Sequence, residues 1–372
     1  MSVVESCQST TTLWLSRSIP ESMNAAVYRG GGRIAVETVE TPSIGPGEIL
    51  VRVESCGICH TDLKKVEYDL LPPPRIYGHE TAGIVAAIGE RVQKYVPGDR
   101  VIAFHHVPCG DCFYCDRRLY AQCPVYKRVG ITAGFEPAGG GFSQYVRVMD
   151  WIVQDGVEKI PAGISFDQAC WVEPVNTCLK GIELMRLQDN DTVAILGQGP
   201  IGLIFTMLAK RTGASVLSTD TIEFRRRLSA RFGALCFDPR ENEFEGALKS
   251  LTSGRGADAV IVATNAPGLV DQALRISRPG AKILLFAQTS AKERLDISGA
   301  DICVGERVVL GSYSADIDLQ AESARLVFSG ELPLEELISE RVPLAEIERG
   351  IGIALHPTER SLKVVVHPQE HY

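Results

Sequence analysis

The sequence predicts an α/β chain built in two parts, a β-rich portion and a doubly wound parallel sheet flanked by helices. Three observations predict it. Single hydrophobic cores stop growing near roughly 250–300 residues, and this chain has 372. The pattern changes near residue 166, from alternating apolar and polar positions to strands alternating with helices. A short apolar run, Val193-Ala194-Ile195-Leu196, passes through closely spaced glycines into an apolar helix, the arrangement that opens a parallel strand–helix–strand unit.

The elements follow in order. Residues 1–22 are rich in Ser and Thr and are expected to form a flexible tail, with ordered structure starting at Met23. Residues 24–53 alternate around the turn formers Gly30-Gly31-Gly32 and Gly45-Pro46-Gly47, as hairpin-connected strands do. Ala82 to Ile88, Pro97-Gly98-Asp99 and Val101 to Phe104 repeat that texture. Phe166 to Leu187 reads as helix, which Pro174 must start, bend or divide, because proline lacks an N–H and crowds the preceding turn. From Thr192, strands at 193–197, 215–219, 259–263, 282–287 and 308–311 alternate with helices, notably 200–212 and 222–232. A helix at 318–329, a short helix at 344–354 and a strand at 361–367 close the chain.

A formal net charge of -8 argues against broad nucleic-acid binding, which needs a basic surface to displace counterions. It leaves room for anionic ligands held by a few local donors. No apolar run approaches the ~20 residues that span a bilayer, and no basic stretch followed by an apolar core opens the chain. A cytoplasmic protein without a membrane partner is therefore expected. Eleven cysteines, an odd number with no secretion signal, fit a reducing compartment better than a disulfide framework.

Cys109, Cys112, Cys115 and Cys123 stand apart. Two-residue gaps let the chain wrap an ion while successive sulfurs turn inward, and four thiolates complete a closed tetrahedral shell. A structural zinc lobe at about residues 105–125 is expected, holding conformation and doing no chemistry. A catalytic metal needs three protein ligands and one open position. Candidates are Cys59, in Gly57-Ile58-Cys59-His60-Thr61-Asp62, His79, in Gly78-His79-Glu80, and Glu173, in Val172-Glu173-Pro174, where the two parts meet. From the residues alone Cys56 rivals Cys59, and His60 rivals His79. The pair His105-His106 is a further candidate, although its place before the lobe points to a surface or strand-end role.

The run Gly197-Gln198-Gly199-Pro200-Ile201-Gly202 follows a strand and opens a helix, which is the context a dinucleotide site requires. The first glycine makes the tight turn, the second admits the pyrophosphate, and the third lets helix and strand pack closely, with the helix N-terminus facing the phosphates. Asp220 ends the next strand, where its carboxylate accepts adenosine ribose hydroxyls and repels a 2′-phosphate, favouring NAD over NADP. Arg225, with Arg226 and Arg227, follows on a helix; Arg225 is expected to lean toward the cofactor, and a role for these arginines in holding a 2′-phosphate would restore NADP.

With these motifs in hand, the chain resembles the zinc-containing medium-chain dehydrogenase/reductase (alcohol dehydrogenase) family from Met23 to about His367, with Glu-Pro at 173–174 as in its sorbitol and threonine dehydrogenase branches. The resemblance implies a GroES-like β-rich catalytic domain (residues 23–176 and 317–372) interrupted by a Rossmann domain (177–316). It resolves the rivalries toward Cys59, His79 and Glu173 as catalytic zinc ligands, with Glu80 an alternative ligand and Asp62 orienting a ligand. It implies two zinc ions per chain, and a reversible hydride transfer between a secondary alcohol, foremost a polyol or sugar, and its ketone. Amino-alcohols, biosynthetic intermediates and a non-catalytic NAD- and zinc-binding relative are the competing readings. Thr61 takes the substrate proton. Lys64 stands where many relatives carry the next histidine of the relay, which leaves two routes open: His60, counted with Thr61 and Glu80 among the catalytic candidates, contacts the cofactor phosphates, or the proton leaves through zinc-bound water. The family also implies a homodimer or homotetramer joined through sheet edges, with Val308-Val309-Leu310 a candidate edge.

Overall fold

The computed structural model describes residues 19–104, 107–126, 139–287, 295 and 297–370. The expected tail falls mostly outside them, and so do His105 and His106. The chain opens on a hairpin, β1 (Ser22–Gly30) with β2 (Arg33–Glu40), so Met23 is the second residue of the first strand. There follow β3 (Ile49–Gly57), α1 (His60–Glu67), β4 (Arg75–Ile76), β5 (Glu80–Ile88) and β6 (Arg100–Ala103). Beyond the cysteine lobe come β7 (Tyr145–Val148), α2 (Asp150–Asp155), β8 (Val157–Lys159), α3 (Phe166–Ala169) and α4 (Val172–Met185). Pro174 divides the expected helix rather than bending it. It occupies the first turn of α4, where a missing N–H costs nothing, and α3 ends just before.

The second part alternates β9 (Thr192–Leu196), α5 (Pro200–Arg211), β10 (Ser215–Thr219), α6 (Glu223–Arg231), β11 (Leu235–Phe237), α7 (Glu243–Leu251) and β12 (Ala257–Val262). It continues with α8 (Leu269–Ile276), β13 (Ser277–Leu285), α9 (Gly299–Cys303) and β14 (Val308–Gly311). The six strands pair in parallel in the order β11-β10-β9-β12-β13-β14. Numbered within the sheet this is 3-2-1-4-5-6, the doubly wound order whose direction reverses beside β9. The chain then returns through α10 (Gln320–Phe328), β15 (Ile338–Pro343), α11 (Ile347–Leu355) and β16 (Lys363–His367).

That return completes a seven-stranded sheet, ordered β15-β16-β3-β5-β6-β8 with β7 on β3. Strand β16 pairs antiparallel with the C-terminal end of β3, Val365 opposite Gly57 and Val366 opposite Cys56. The last strand is thereby delivered beside the Cys59 loop. One apolar core runs through both parts: Phe104 and Ile102 of the β-rich part pack with Trp171, Val175 and Ile182 near or on α4, and these with Val193, Ile195 and Phe205. Trp171 is fully buried at this junction, and truncating such a side chain costs about 3–5 kcal/mol. No helix among the described residues is long and apolar enough to cross a membrane.

Candidate metal centres and cofactor cleft

The four lobe cysteines converge as their spacing requires. Their sulfurs lie within 4.8 Å of one another. Cys112–Cys115 and Cys109–Cys123 are 3.5 Å apart and Cys109–Cys115 3.9 Å, and all four are free thiols. A tetrahedral shell with Zn–S near 2.3 Å spaces its sulfurs about 3.8 Å apart, so the donor set fits zinc. The Cys109 amide donates to the Cys123 sulfur at 3.4 Å. Tyr120 and Tyr126 tie the lobe to the rest of the chain, through Asp318 and the Ala315 carbonyl.

The second centre forms where β3, α1 and β5 meet. Cys59 is the N-cap of α1, so its side chain projects from a helix end rather than from a packed face. His79 immediately precedes β5, and Glu80 opens it. One ligand atom from each of Cys59, His79 and Glu80 lies within 4.8 Å of the others. Cys56, by contrast, is fully buried in the apolar core of β3, its thiol near Thr81. The His79 Nδ1 lies 3.0 Å from Asp62 Oδ1, with both side chains almost fully buried. An Nδ1–H donated to the carboxylate leaves Nε2 as the lone-pair nitrogen, the tautomer a metal ligand needs. Burial disfavours charge on the ring, yet Asp62 and Cys59 raise its proton affinity well above that of an ordinary imidazole. The mixed S, N, O donor set of Cys59, His79 and Glu80 is one that zinc accepts.

Glu173, in the first turn of α4, is not one of the three clustered donors, but it borders them. Burial pushes its carboxyl up to about 7, with Glu80 and Asp62 acting in the same direction and His79 and Lys363 against. Thr61 is half-buried in the first turn of α1, and His60 before it is exposed. Desolvation by its surroundings, then the cations Lys64 and Lys363, lower the proton affinity of His60.

The sequence reading missed Lys363. It opens β16 almost fully buried, forms an ion pair with Glu80, and lies 5.4 Å from the Trp171 ring centroid. Burial opposes its charge, but Glu80, Cys59 and Glu173 outweigh it and raise its pKa. A Cβ on Gly57 would fall 2.7 Å from the Lys363 Cε and closer still to the Glu80 carboxylate, so a larger residue there would displace the ion pair. The available signal was a lone charge in the apolar run Leu362-Lys363-Val364-Val365-Val366, since lysine is almost never buried unpaired.

The glycine-rich turn has the geometry its motif demands. Gly197 leaves β9 at φ 97°, and its N–H donates to the Thr219 carbonyl of β10. A Cβ on Gly202 would lie 1.9 Å from the Gly197 carbonyl oxygen, which is the close helix–strand approach expected of the third glycine. Around Gly199 the space is open, with only the Arg225 Nη1 within 4 Å, at 3.9 Å. Pro200 and Ile201 start α5. The Asp220 carboxylate is fixed by two backbone amides, Gln198 at 2.7 Å and Ile222 at 2.8 Å, one to each oxygen. Each oxygen keeps a lone pair for a ligand hydroxyl. Arg225 donates through Nη2 and Nε to the Ser361 carbonyl at 2.8 and 3.2 Å, so it bridges α6 to the segment before β16 while bordering the turn.

Comparison with known proteins agrees with this architecture. Residues 45–161 match the alcohol dehydrogenase GroES-like domain, and residues 200–328 match the zinc-binding dehydrogenase domain. The chain is 30% identical to an erythritol/L-threitol dehydrogenase of Mycolicibacterium smegmatis over 95% of its length and 100% of that protein's. It is 28% identical to a sorbitol dehydrogenase of Bacillus subtilis, covering 95% and 99% of the two chains. Among solved structures it resembles a zinc-binding dehydrogenase from Sinorhizobium meliloti bound to NADP, with a TM-score of 0.85 and 30% identity over 94% of this chain and 100% of that one. The chain belongs to the zinc-containing medium-chain dehydrogenase/reductase, or alcohol dehydrogenase, family. It is a zinc-dependent, nicotinamide-linked oxidoreductase acting on CH–OH donors.

Proposed function

We propose that this chain oxidises a secondary hydroxyl of a polyol or sugar to the ketone, reversibly and with NAD. The observation that carries the reading is the convergence of Cys59, His79 and Glu80, with Glu173 beside them, at the junction of the two parts of the fold. The polyol assignment draws on the sorbitol and erythritol/L-threitol dehydrogenases among the relatives and on Glu173-Pro174.

In this reading Cys59, His79 and Glu173 hold the catalytic zinc, Glu80 is the alternative ligand, and Cys109, Cys112, Cys115 and Cys123 hold the structural one. The catalytic metal supplies a Lewis acid that acidifies the substrate hydroxyl. Asp62 fixes the His79 ring, and the Thr61 hydroxyl takes the substrate's proton at Oγ1 while giving up its own to solvent water. His60 lies close enough to Lys363 and Arg225 to feel their charges, a setting that suits contact with cofactor phosphates. Gly197, Gly199, Pro200, Ile201 and Gly202 cradle the pyrophosphate at the N-terminus of α5, Arg225 flanks it, and Asp220 accepts the adenosine ribose hydroxyls. The relative from Sinorhizobium meliloti binds NADP; the fixed Asp220 carboxylate is what favours NAD here.

Residues 23–176 and 317–372 form the catalytic unit, and 177–316 the cofactor unit. A homodimer or homotetramer joins through β14, the outer strand of the parallel sheet, where Val308 is 48% exposed. The protein works in the cytoplasm on small molecules.

The test follows NAD and NADP reduction by the zinc-loaded chain with polyols, sugars, amino-alcohols and simple alcohols. NAD-linked oxidation of polyols or sugars is expected, and exclusive turnover of another class refutes the substrate assignment. Thr61→Val should lower kcat by about 100-fold or more with zinc retained, in the range of a lost proton-transfer group; unchanged turnover removes Thr61 from the relay.

A further inference from the structure

The tip of β10 carries more charge than the single carboxylate of Asp220. Two guanidinium groups close on its backbone. Arg226 Nη1 donates to the Asp220 carbonyl at 2.9 Å, and Arg240 Nη2 to the Thr221 carbonyl at 3.1 Å. Both are held by one further carboxylate, Asp238, which directly follows β11. Asp238 Oδ2 lies 3.0 Å from Arg226 Nη1 and 2.5 Å from Arg240 Nη2, and its Oδ1 accepts the Arg240 Nε at 2.8 Å. The Asp238 side chain is 7% exposed, whereas that of Arg240 is 69% exposed. Strand β11 brings it there: the Asp220 N–H donates to the Phe237 carbonyl, so Asp238 and Asp220 leave neighbouring strand ends side by side.

We infer that Asp238 is a cofactor-selectivity residue, holding Arg226 and Arg240 in ion pairs beside the adenosine ribose so that neither is free to receive a 2′-phosphate. The inference rests on the NAD reading and supplies its second half. A 2′-phosphate brings about two negative charges to a place already occupied by Asp220, and is tolerated only where guanidinium groups meet it, preferably with two parallel bonds. The two arginines nearest the tip have the right chemistry, and Arg225 is committed to the Ser361 carbonyl. Asp238 and Asp220 face Arg226, Arg240 and Arg225, whose Nη1 lies 3.9 Å from Asp220 Oδ2, so these five groups carry one excess positive charge with Asp238 charged and two without it. Exclusion of NADP thus comes from occupying its potential partners as well as from repulsion by Asp220, a device that acts against the wrong ligand.

The experiment uses the zinc-loaded full chain and two fragments that differ only in the 2′-phosphate, 5′-AMP and adenosine 2′,5′-bisphosphate, titrated calorimetrically at low salt. The wild-type chain is expected to prefer 5′-AMP. Asp238→Asn is expected to shift the ratio of the two dissociation constants about tenfold toward the bisphosphate, the scale of one new charge-assisted contact. Adding Arg226→Ala and Arg240→Ala to that variant is expected to return the ratio to near its wild-type value. Arg240→Ala alone, which keeps the test alive if Asp238→Asn fails to fold, truncates an exposed side chain and strips Asp238 of a partner; the carboxylate left under-compensated beside the ribose should move the ratio severalfold toward 5′-AMP. A wild-type preference for 5′-AMP that neither Asp238→Asn nor Arg240→Ala alters, but that Asp220→Ser does, overturns the role of Asp238 and leaves the NAD reading standing. A wild-type chain that binds the bisphosphate as tightly as 5′-AMP refutes the NAD reading itself, and with it the claim that the arginines are withheld.

Discussion

Replacing Asp62 by Asn tests the claim that the His79 imidazole is prepared for a metal by its neighbour. The substitution is nearly isosteric at a side chain that is 2% exposed, so the surrounding packing of α1 is kept. It removes the charge from a 3.0 Å contact with the His79 Nδ1. Hydrogen bonds to charged groups contribute about 1.5–3 kcal/mol and neutral ones about 0.5–1.5, so the loss is about 1–2 kcal/mol. Zinc at the Cys59–His79 centre should therefore bind roughly 5- to 30-fold more weakly, overlapping the lower part of the roughly 10- to 100-fold range typical of lost outer-shell partners. The assay is competition with a chromophoric chelator at fixed pH, scoring two classes of zinc. Only one should become easier to remove, because the lobe cysteines make no contact with Asp62. Affinity within about threefold of wild type would refute the reasoning. Equal weakening of both classes would point instead to a damaged fold.

Two further outcomes follow from the same structure. Gly202→Ala forces a Cβ to within 1.9 Å of the Gly197 carbonyl oxygen, and the strain should cost about 1–3 kcal/mol in a urea melt and weaken NAD binding; a variant as stable as wild type would contradict the close-packing role of that glycine. The second concerns pH, through His367, whose Nε2 lies 2.8 Å from Asp167 and Nδ1 3.1 Å from Glu370. Burial opposes its charge, but those carboxylates raise its pKa above the unfolded value of about 6.5. Its stabilisation is thus complete below about pH 6.5 and is lost as pH rises through the folded value. Asp167 behaves oppositely: burial is outweighed by its bonds to His367, Ser55 and Arg341, which pull it down to about 2, so its contribution holds above about pH 4 and fades as pH falls toward 2. His367→Gln should therefore cost about 1–2 kcal/mol at pH 6 and progressively less at pH 8–9, by urea melts; a penalty constant across that range would contradict the ion pair.

Much of this was legible because the backbone forces it. A turn that must leave a strand at positive φ, expose one glycine and bring a helix against a strand admits few residues, so Gly197, Gly199 and Gly202 announce their roles in sequence. The cysteine lobe is legible for a related reason: its four sulfurs meet within a span of 15 residues, from Cys109 to Cys123, so the local chain alone brings them together. What stayed hidden was set by long-range packing. Lys363 reaches Glu80 only because the returning β16 pairs with the end of β3. Arg225 was read as leaning on the cofactor, and it does border the turn, but its hydrogen bonds go to Ser361, a contact no local pattern reveals. Strand β11 escaped because three residues carry no periodicity, and its Leu235, at the sheet edge, is 56% exposed. With β11 unseen, Asp238 had no reason to be placed beside Asp220. The placing of the two carboxylates is set by packing as well: Glu80 stands among the clustered donors and Glu173 borders them from α4, which no local pattern reveals.

The central claim is that Cys59 anchors a catalytic zinc distinct from the one in the lobe. Zinc content and NAD reduction with a polyol panel, measured on the wild-type chain and on Cys59→Ser, test it most directly. The account predicts about two zinc ions per chain in the wild type and about one in the variant, with the fold retained and turnover lost by about 100-fold or more. A Cys59→Ser chain that keeps both zinc ions and its turnover would contradict it.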